Sequence, residues 1–266
     1  MSNAENIAAA SNLIWDSWQA GTVLADLPEA LRPQNRPEGY TIQSMLAGKA
    51  RQGLIGWKIA ATSTAGQNHI GVDGPLAGRL LGERTFTSGA TLSLAANRMR
   101  VAEPEFAFRV GRDLGPRRTP YRVDEVLAAM DTLIPAIEVP DSRFSDFAKA
   151  GTAQLIADNA CAHEFVLGTP ATADWRAIDL ATYPVRAELT GNGVRHVTRD
   201  GIGRNVLGDP RLALTWLVNE LSGLGITLGA DQIVTTGTCM TPLAIEPGDE
   251  VIADFGVLGT LSARFA

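Results

Sequence analysis

The chain has 266 residues, 45% of them hydrophobic and 20% charged, with a formal net charge of −6. That length and composition fit a folded protein of one main domain plus a small appendage, and exclude a disordered or collagen-like chain. The acidic balance, with Lys and Arg scattered, offers no field for nucleic acid. No uncharged run approaches the ~20 residues of a membrane span and no cationic leader precedes an apolar stretch, so a cytoplasmic protein is expected.

Ile7, Leu13, Ile14 and Trp18 recur at roughly helical spacing and predict a helix over 4–20, ended by Gly21. A link with Pro33 and Gly39 leads to a second predicted helix over 41–52, so residues 1–53 are expected to form a helical N-terminal segment. From Leu54 the texture changes to short apolar runs broken by Gly, Pro and Asp, at 56–61, 101–110, 134–139 and 183–189, and residues 54–266 read as a β-rich domain. A helical stretch over 124–133 is expected ahead of the run at 134–139. Alternating residues over 183–198, flanking Gly191-Asn192-Gly193, predict a hairpin whose tripeptide suits positive φ.

Asp209 and Pro210 open an amphipathic run with Leu212, Leu214, Trp216, Leu217 and Leu221 that Gly223 closes, which predicts a capped helix. Strands are expected at 232–236, 250–254 and 260–265, around the turn Glu246-Pro247-Gly248-Asp249 and the glycines 256 and 259. Helices after Leu54 are too few and uneven for a doubly wound sheet, so an α+β architecture with a closed or strongly curved β core is expected. Gly201-Ile202-Gly203 with Gly208 is too loosely spaced for a dinucleotide loop and does not open the helix itself, so no nucleotide cofactor is implied.

Cys161 and Cys239 have no paired-ligand spacing, and His69, His163 and His196 are isolated, so neither a disulfide framework nor a thiolate or imidazole metal cluster is suggested. The acids are more informative. Glu103 and Glu105 lie two apart at the start of an otherwise apolar strand, which points both carboxylates to one face about 6–7 Å apart along the backbone. Two like charges so placed repel and raise a pKa unless a cation sits between them. Glu138 adds a third acid within Ile134-Pro135-Ala136-Ile137-Glu138-Val139, where an unpartnered carboxylate is costly. Three carboxylates without histidine suit a hard, oxygen-preferring ion such as Mg2+ or Mn2+. On spacing alone a second reading stands beside this one: Glu103 and Glu105 as solvated edge charges, and Glu138 paired with Arg143.

Lys58 sits inside the strand-like run Gly56-Trp57-Lys58-Ile59-Ala60. It reads either as an edge lysine reaching solvent past its apolar stem, or as an ammonium held in a pocket to meet an anion or shuttle a proton.

Several segments taken together carry a family resemblance. They are Gly56-Trp57-Lys58-Ile59-Ala60-Ala61-Thr62-Ser63, Gly71-Val72-Asp73-Gly74-Pro75, Glu103-Pro104-Glu105, Pro135-Ala136-Ile137-Glu138 with Asp141-Ser142-Arg143, Ala157-Asp158-Asn159-Ala160, and Pro247-Gly248-Asp249 with Gly256-Val257-Leu258-Gly259. The chain from about Gly39 onward resembles the 2-oxopent-4-enoate hydratases and oxalocrotonate decarboxylases of the fumarylacetoacetate hydrolase superfamily. The resemblance implies a mixed β-roll catalytic core behind a helical N-terminal part, Mg2+ or Mn2+ on the three matching glutamates, a catalytic lysine at position 58, and self-assembly into dimers or larger rings. It also implies a pocket-lining loop carrying Asp73, an acid that a Gly-rich loop otherwise uses as a turn former. Thr62 and Ser63, following the Lys58 strand, read either as donors of hydrogen bonds to a substrate carboxylate or as strand-end hydroxyls that bond only their own backbone. Pro140 departs from the pattern, and the stretch 235–242 maps onto neither branch.

The expected activity is addition of water to a small 2-hydroxy-2,4-dienoate, giving a 4-hydroxy-2-oxo acid. The alternative is decarboxylation of a 2-oxo-3-enedioate at the same metal site. An acylpyruvate hydrolase ranks last among the enzymes, for want of a His-Glu pair near the first strand, and a non-catalytic metal-binding protein is the reading from another class. A decarboxylase must hold a second carboxylate. Apart from Lys58 the core segments contain no Lys or Arg, with Arg79, Arg100 and Arg143 at their margins, so hydration is expected to be the faster reaction.

Overall fold

A computed structural model describes residues 3–191 and 195–266. In chain order the elements are α1 (Asn3–Ala20), α2 (Arg36–Ala47), β1 (Leu54–Ala60), α3 (Thr64–Ile70), β2 (Leu76–Leu81), β3 (Thr85–Thr87), β4 (Ala90–Leu92), β5 (Val101–Val110), α4 (Val123–Leu127), β6 (Met130–Val139), α5 (Thr152–Ala157), β7 (Glu164–Leu167), β8 (Pro184–Gly191), β9 (Arg195–Ile202), α6 (Pro210–Gly223), β10 (Ile233–Thr238), β11 (Leu243–Ala244), β12 (Asp249–Asp254) and β13 (Thr260–Phe265). The strands form two mixed sheets, one ordered β2-β1-β10-β5-β6-β7-β3 with β11 on β5, the other β4-β13-β12-β8-β9. This is an α+β fold with few helices, as the resemblance implies. No helix among the described residues is long and apolar enough to cross a membrane.

Alternation along β5 divides the molecule. Phe106 and Phe108 face the small sheet and pack into the main core, Phe106 edge-on to Phe255 and Phe108 edge-on to Trp175. Fully burying each such ring stabilises the fold by about 1.5–3 kcal/mol. Ala107 faces the other way, into a second apolar cluster with Ile134, Ala136 and Phe165. Glu103 and Glu105 have the parity of Ala107, so the pleat that seats the aromatic rings also aims both acids at the opposite face.

The main departures from the predicted elements have local causes. The second helix runs over Arg36–Ala47 rather than 41–52, because Asn35 caps it, accepting from the Glu38 N–H at 3.0 Å, and Pro37 is tolerated in a first turn where no N–H is needed. The helix expected over 124–133 stops at Leu127, and Met130–Val139 instead forms a ten-residue strand paired along β5, where Leu133 lies opposite Phe108. The capped helix Pro210–Gly223 is present, with Asp209 accepting from the Arg211 N–H. The hairpin pairs β8 with β9 through Gly191 and Arg195; Gly191 ends β8 as a strand residue, and Asn192 and Gly193 of the expected positive-φ turn lie outside the described residues. The two N-terminal helices bury Ile14, Ile42 and Leu46 against Phe144 and Ala157.

Candidate metal centre and cavity

Glu103 pairs directly across the strands with Glu138 in the β5–β6 register, and Glu105 lies two residues further along the same face. One carboxylate oxygen from each of the three lies within 4.8 Å of the others, Glu105 and Glu138 buried and Glu103 half-buried. The Lys58 ammonium lies 2.9 Å from Glu138 Oε1, with side-chain exposures of 3% and 1%. Lys58 is therefore neither an edge residue nor solvated, and Glu138 is not the partner of Arg143, whose guanidinium pairs with Asp158 instead.

Three acids held this close, two of them buried, oppose their own ionisation. Burial first and the Glu138 charge second push Glu103 up to about 7, while Lys58 pulls the other way. Burial, then Glu138 and Glu103, raises Glu105 well above the usual carboxylate range, although Thr235 donates to it. Burial also raises Glu138 against the opposing pull of Lys58. For Lys58, burial works against the charge, but Glu138 and then Glu103 outweigh it, so its pKa is raised and it stays an ammonium. Glu105 Oε1 and Glu138 Oε2 have no hydrogen-bond partner among the described residues. Buried acceptors left so are a deficit that a hard cation removes, since it takes oxygen ligands of this kind.

The strand β10 supplies a support that no sequence motif announces. Thr235 and the Gly237 N–H, the latter at 2.8 Å, both donate to Glu105 Oε2, so one oxygen is fixed and the other is free to face the cluster. Gly237 has φ 102°, and a β-carbon there would stand 2.1 Å from the Thr62 hydroxyl. Glycine thus admits the backbone donor and the threonine together. The stretch 235–242, which maps onto neither branch of the family, is the platform of the second acid.

Lys58 is held from its other side by a turn of unusual backbone. Asn159, Ala160 and Cys161 have φ of 58°, 51° and 60°, three consecutive non-glycine residues in the left-handed region, where each costs about 1–2 kcal/mol. The Ala160 carbonyl accepts from Lys58 Nζ at 3.0 Å. Ser142 and Arg143 hold Asp158, at the base of this turn, so the sequence motifs Asp141-Ser142-Arg143 and Ala157-Asp158-Asn159-Ala160 are two halves of one buried clasp.

Lys58, Glu103 and Glu105 line a cavity of about 890 Å³, with Thr62, Ser63, Met99, Cys161, Arg204, Leu207 and Met240 also on its wall. The Thr62 hydroxyl makes no hydrogen bond among the described residues, whereas Ser63 accepts from the Gly66 N–H at 3.0 Å as the cap of α3. Asp73 is not brought to this wall: its carboxylate is 81% exposed and meets Arg36 at 3.3 Å. Arg204 carries no signal in the sequence, since it lies in a Gly-rich connection; only the packing of that turn, tied by the Leu207 N–H to the Thr62 carbonyl at 2.8 Å, brings it to the cavity.

No family model matches the chain. Among curated proteins, 2-keto-4-pentenoate hydratase 1 of Dechloromonas aromatica (strain RCB) is 32% identical over 273 residues, covering 100% of both chains. The 4-oxalocrotonate decarboxylase of Pseudomonas putida is 31% identical over 232 residues, 86% of this chain and 84% of the relative. A solved structure of 4-oxalocrotonate decarboxylase from Pseudomonas putida G7, complexed with magnesium and adipate, superposes with a TM-score of 0.87 at 25% identity, over 100% of this chain and 99% of that one. With end-to-end relatives of this identity and the same fold, the chain belongs to the family of 2-keto-4-pentenoate hydratases and 4-oxalocrotonate decarboxylases.

Proposed function

We propose that this chain hydrates a small 2-hydroxy-2,4-dienoate to a 4-hydroxy-2-oxo acid, with Glu103, Glu105 and Glu138 holding one Mg2+ or Mn2+ and Lys58 acting beside it. The observation that carries the reading is the cluster itself: three carboxylate oxygens within 4.8 Å of one another, a buried ammonium on one of them, and an open cavity against the group. A divalent cation bound there supplies a Lewis acid for the carboxylate and C2 oxygen of the substrate. The Lys58 ammonium, ion-paired with Glu138 and giving one of its three N–H bonds to Ala160, keeps a donor to hold or deliver a proton. The proton leaving the C2 hydroxyl and the proton arriving at the far carbon balance the ketonisation; water then adds at C4. Thr62, with its hydroxyl unengaged, is placed to meet the substrate carboxylate. Ser63 contributes through the start of α3 that it caps, and Asp73, exposed and paired with Arg36, is given no role in this reading.

The acid cluster predicts a pH-dependent response to the cation. Glu103 is raised from its ordinary value to about 7, so in the metal-free fold it contributes stability that is present below the unfolded pKa and is lost as pH rises through about 7. A cation reverses this by favouring the ionised form. Saturating Mg2+ is therefore expected to raise Tm more at pH 8 than at pH 6 in thermal unfolding. His163, held down to about 3 mainly by burial, titrates alike with and without the cation and cancels in the difference. Equal Mg2+ increments at both pH values would count against ligation by these acids.

One observation favours the decarboxylase as a second reading. The expectation of hydration rests partly on the lack of a second cation in the core segments, and Arg204 lies on the cavity wall with its side chain exposed and without an ion pair or hydrogen bond among the described residues. It is placed to meet a distal carboxylate; the neighbouring decarboxylase was solved with the diacid adipate. Both substrate types, given to the purified protein with Mg2+, separate the readings when conjugated absorbance and CO2 release are followed together. Hydration of the dienoate is expected to be faster. Stoichiometric CO2 from the diacid with no hydration of the dienoate would make the chain a decarboxylase, and Arg204→Gln would then weaken the diacid reaction by tenfold or more, as loss of a charge-assisted bond does. Turnover of neither substrate would leave the acylpyruvate hydrolase and the non-catalytic metal-binding protein as the readings.

A further inference from the structure

We propose that Asn159 is a positioning residue for Lys58: its side-chain amide fastens the left-handed turn 159–161 to β2, so that Ala160 takes one ammonium proton and leaves another for the substrate. The inference rests on the reading above that Lys58 works on the substrate. At the edge of the large sheet, β2 is the terminal strand. The outer N–H and C=O of Arg79 have no further strand to pair with. Asn159 supplies both partners, its Oδ1 accepting from the Arg79 N–H at 2.7 Å and its Nδ2 donating to the Arg79 carbonyl at 2.9 Å. One side chain thus stands in for a neighbouring strand.

The clamp is in register with the lysine. Arg79 lies opposite Trp57, and Gly78 opposite Lys58, in the β1–β2 pairing. A β-carbon on Gly78 would fall 2.4 Å from the Asn159 carbonyl and 3.0 Å from the Lys58 stem, so the turn and the lysine share space that only glycine leaves. Each carbonyl of the turn has its donor: Asn159 accepts from the Ala162 N–H, Cys161 from the Asp141 N–H, and Ala160 from Lys58. A backbone conformation that alanine and cysteine avoid persists only where its surroundings over-determine it. Asn159 does so on one side and the Asp158 clasp on the other. Asparagine tolerates the left-handed region, but that tolerance alone does not account for an amide engaged at both ends.

The test uses the full chain with Mg2+ and a 2-hydroxydienoate. Asn159→Ala and Asn159→Gly are measured alone and combined with Lys58→Met; glycine accepts the backbone angle and so removes the clamp without opposing the turn, which keeps one variant foldable. Each single variant is expected to lower kcat at least tenfold with KM and Mg2+ affinity within about threefold, and to lower nothing further in the Lys58→Met background, because residues acting through one group are non-additive. In a crystal structure of Asn159→Gly the Lys58 Nζ to Ala160 oxygen separation is expected to open beyond about 3.5 Å, out of hydrogen-bond reach. Equal losses in both backgrounds, an unchanged kcat, or a contact still in place would each overturn the proposal. If the unaltered protein hydrates no dienoate, the functional reading fails, and the crystallographic distance still decides what Asn159 does.

Discussion

Lys58→Met is expected to lower hydration of a 2-hydroxydienoate by about two orders of magnitude or more, the usual range for losing a general acid–base or charge-stabilising group. Methionine keeps the length and apolar stem of the side chain, which packs beside Gly78, and removes only the ammonium. The effect falls on kcat because the charge is committed to Glu138 and Ala160 before substrate arrives, and its remaining proton is aimed by them rather than recruited by binding. The variant also leaves Glu138 without its partner, and breaking a buried pair costs about 3–5 kcal/mol. The metal-free variant should accordingly melt below the parent, and saturating Mg2+ should narrow the gap by restoring positive charge. Steady-state kinetics with Mg2+ present check the prediction. A variant of near-parental kcat with only a raised KM would reduce the lysine to an anchor for the substrate carboxylate.

Glu105→Gln is expected to weaken Mg2+ binding at least tenfold, a loss of more than about 1.4 kcal/mol, and chelation of the parent should abolish turnover. Of the three acids Glu105 is the most completely positioned, with Thr235 and the Gly237 N–H on one oxygen and nothing on the other. Glutamine preserves the shape but has a single acceptor oxygen: if that oxygen stays with Thr235 and Gly237 the amide NH2 faces the cation, and if it turns to the cation the NH2 meets those two donors. Calorimetric titration with Mg2+ measures the loss. A metal-free preparation with full activity would remove the cation from the reaction.

Glu103, Glu105 and Lys58 are legible as site candidates in the amino-acid sequence because each breaks the pattern of its own strand. Acids two apart on an apolar strand must share a face, and a lysine inside such a run must find either solvent or a partner. Local pattern also locates β5 and β13 and the capped helix over 210–223, whose stops are side-chain chemistry acting within a few residues. Which strand lies beside which is not written in any one segment. The cross-strand pairing of Glu103 with Glu138, and the choice of Lys58 rather than Arg143 as the partner of Glu138, follow from the order β1-β10-β5-β6 and its register, which are decided by core packing over long sequence separations. For the same reason Asp73, in a Gly-rich loop that the resemblance implies to line the pocket, sits against Arg36, while Arg204, in a loop with no signal at all, reaches the cavity. Residue pattern alone dictates which side chains have to be reconciled with an apolar sheet. Where they meet is a matter of tertiary packing, because contact between residues 58, 103, 138 and 160 is a property of strand register and of one left-handed turn, neither of which has a local signature.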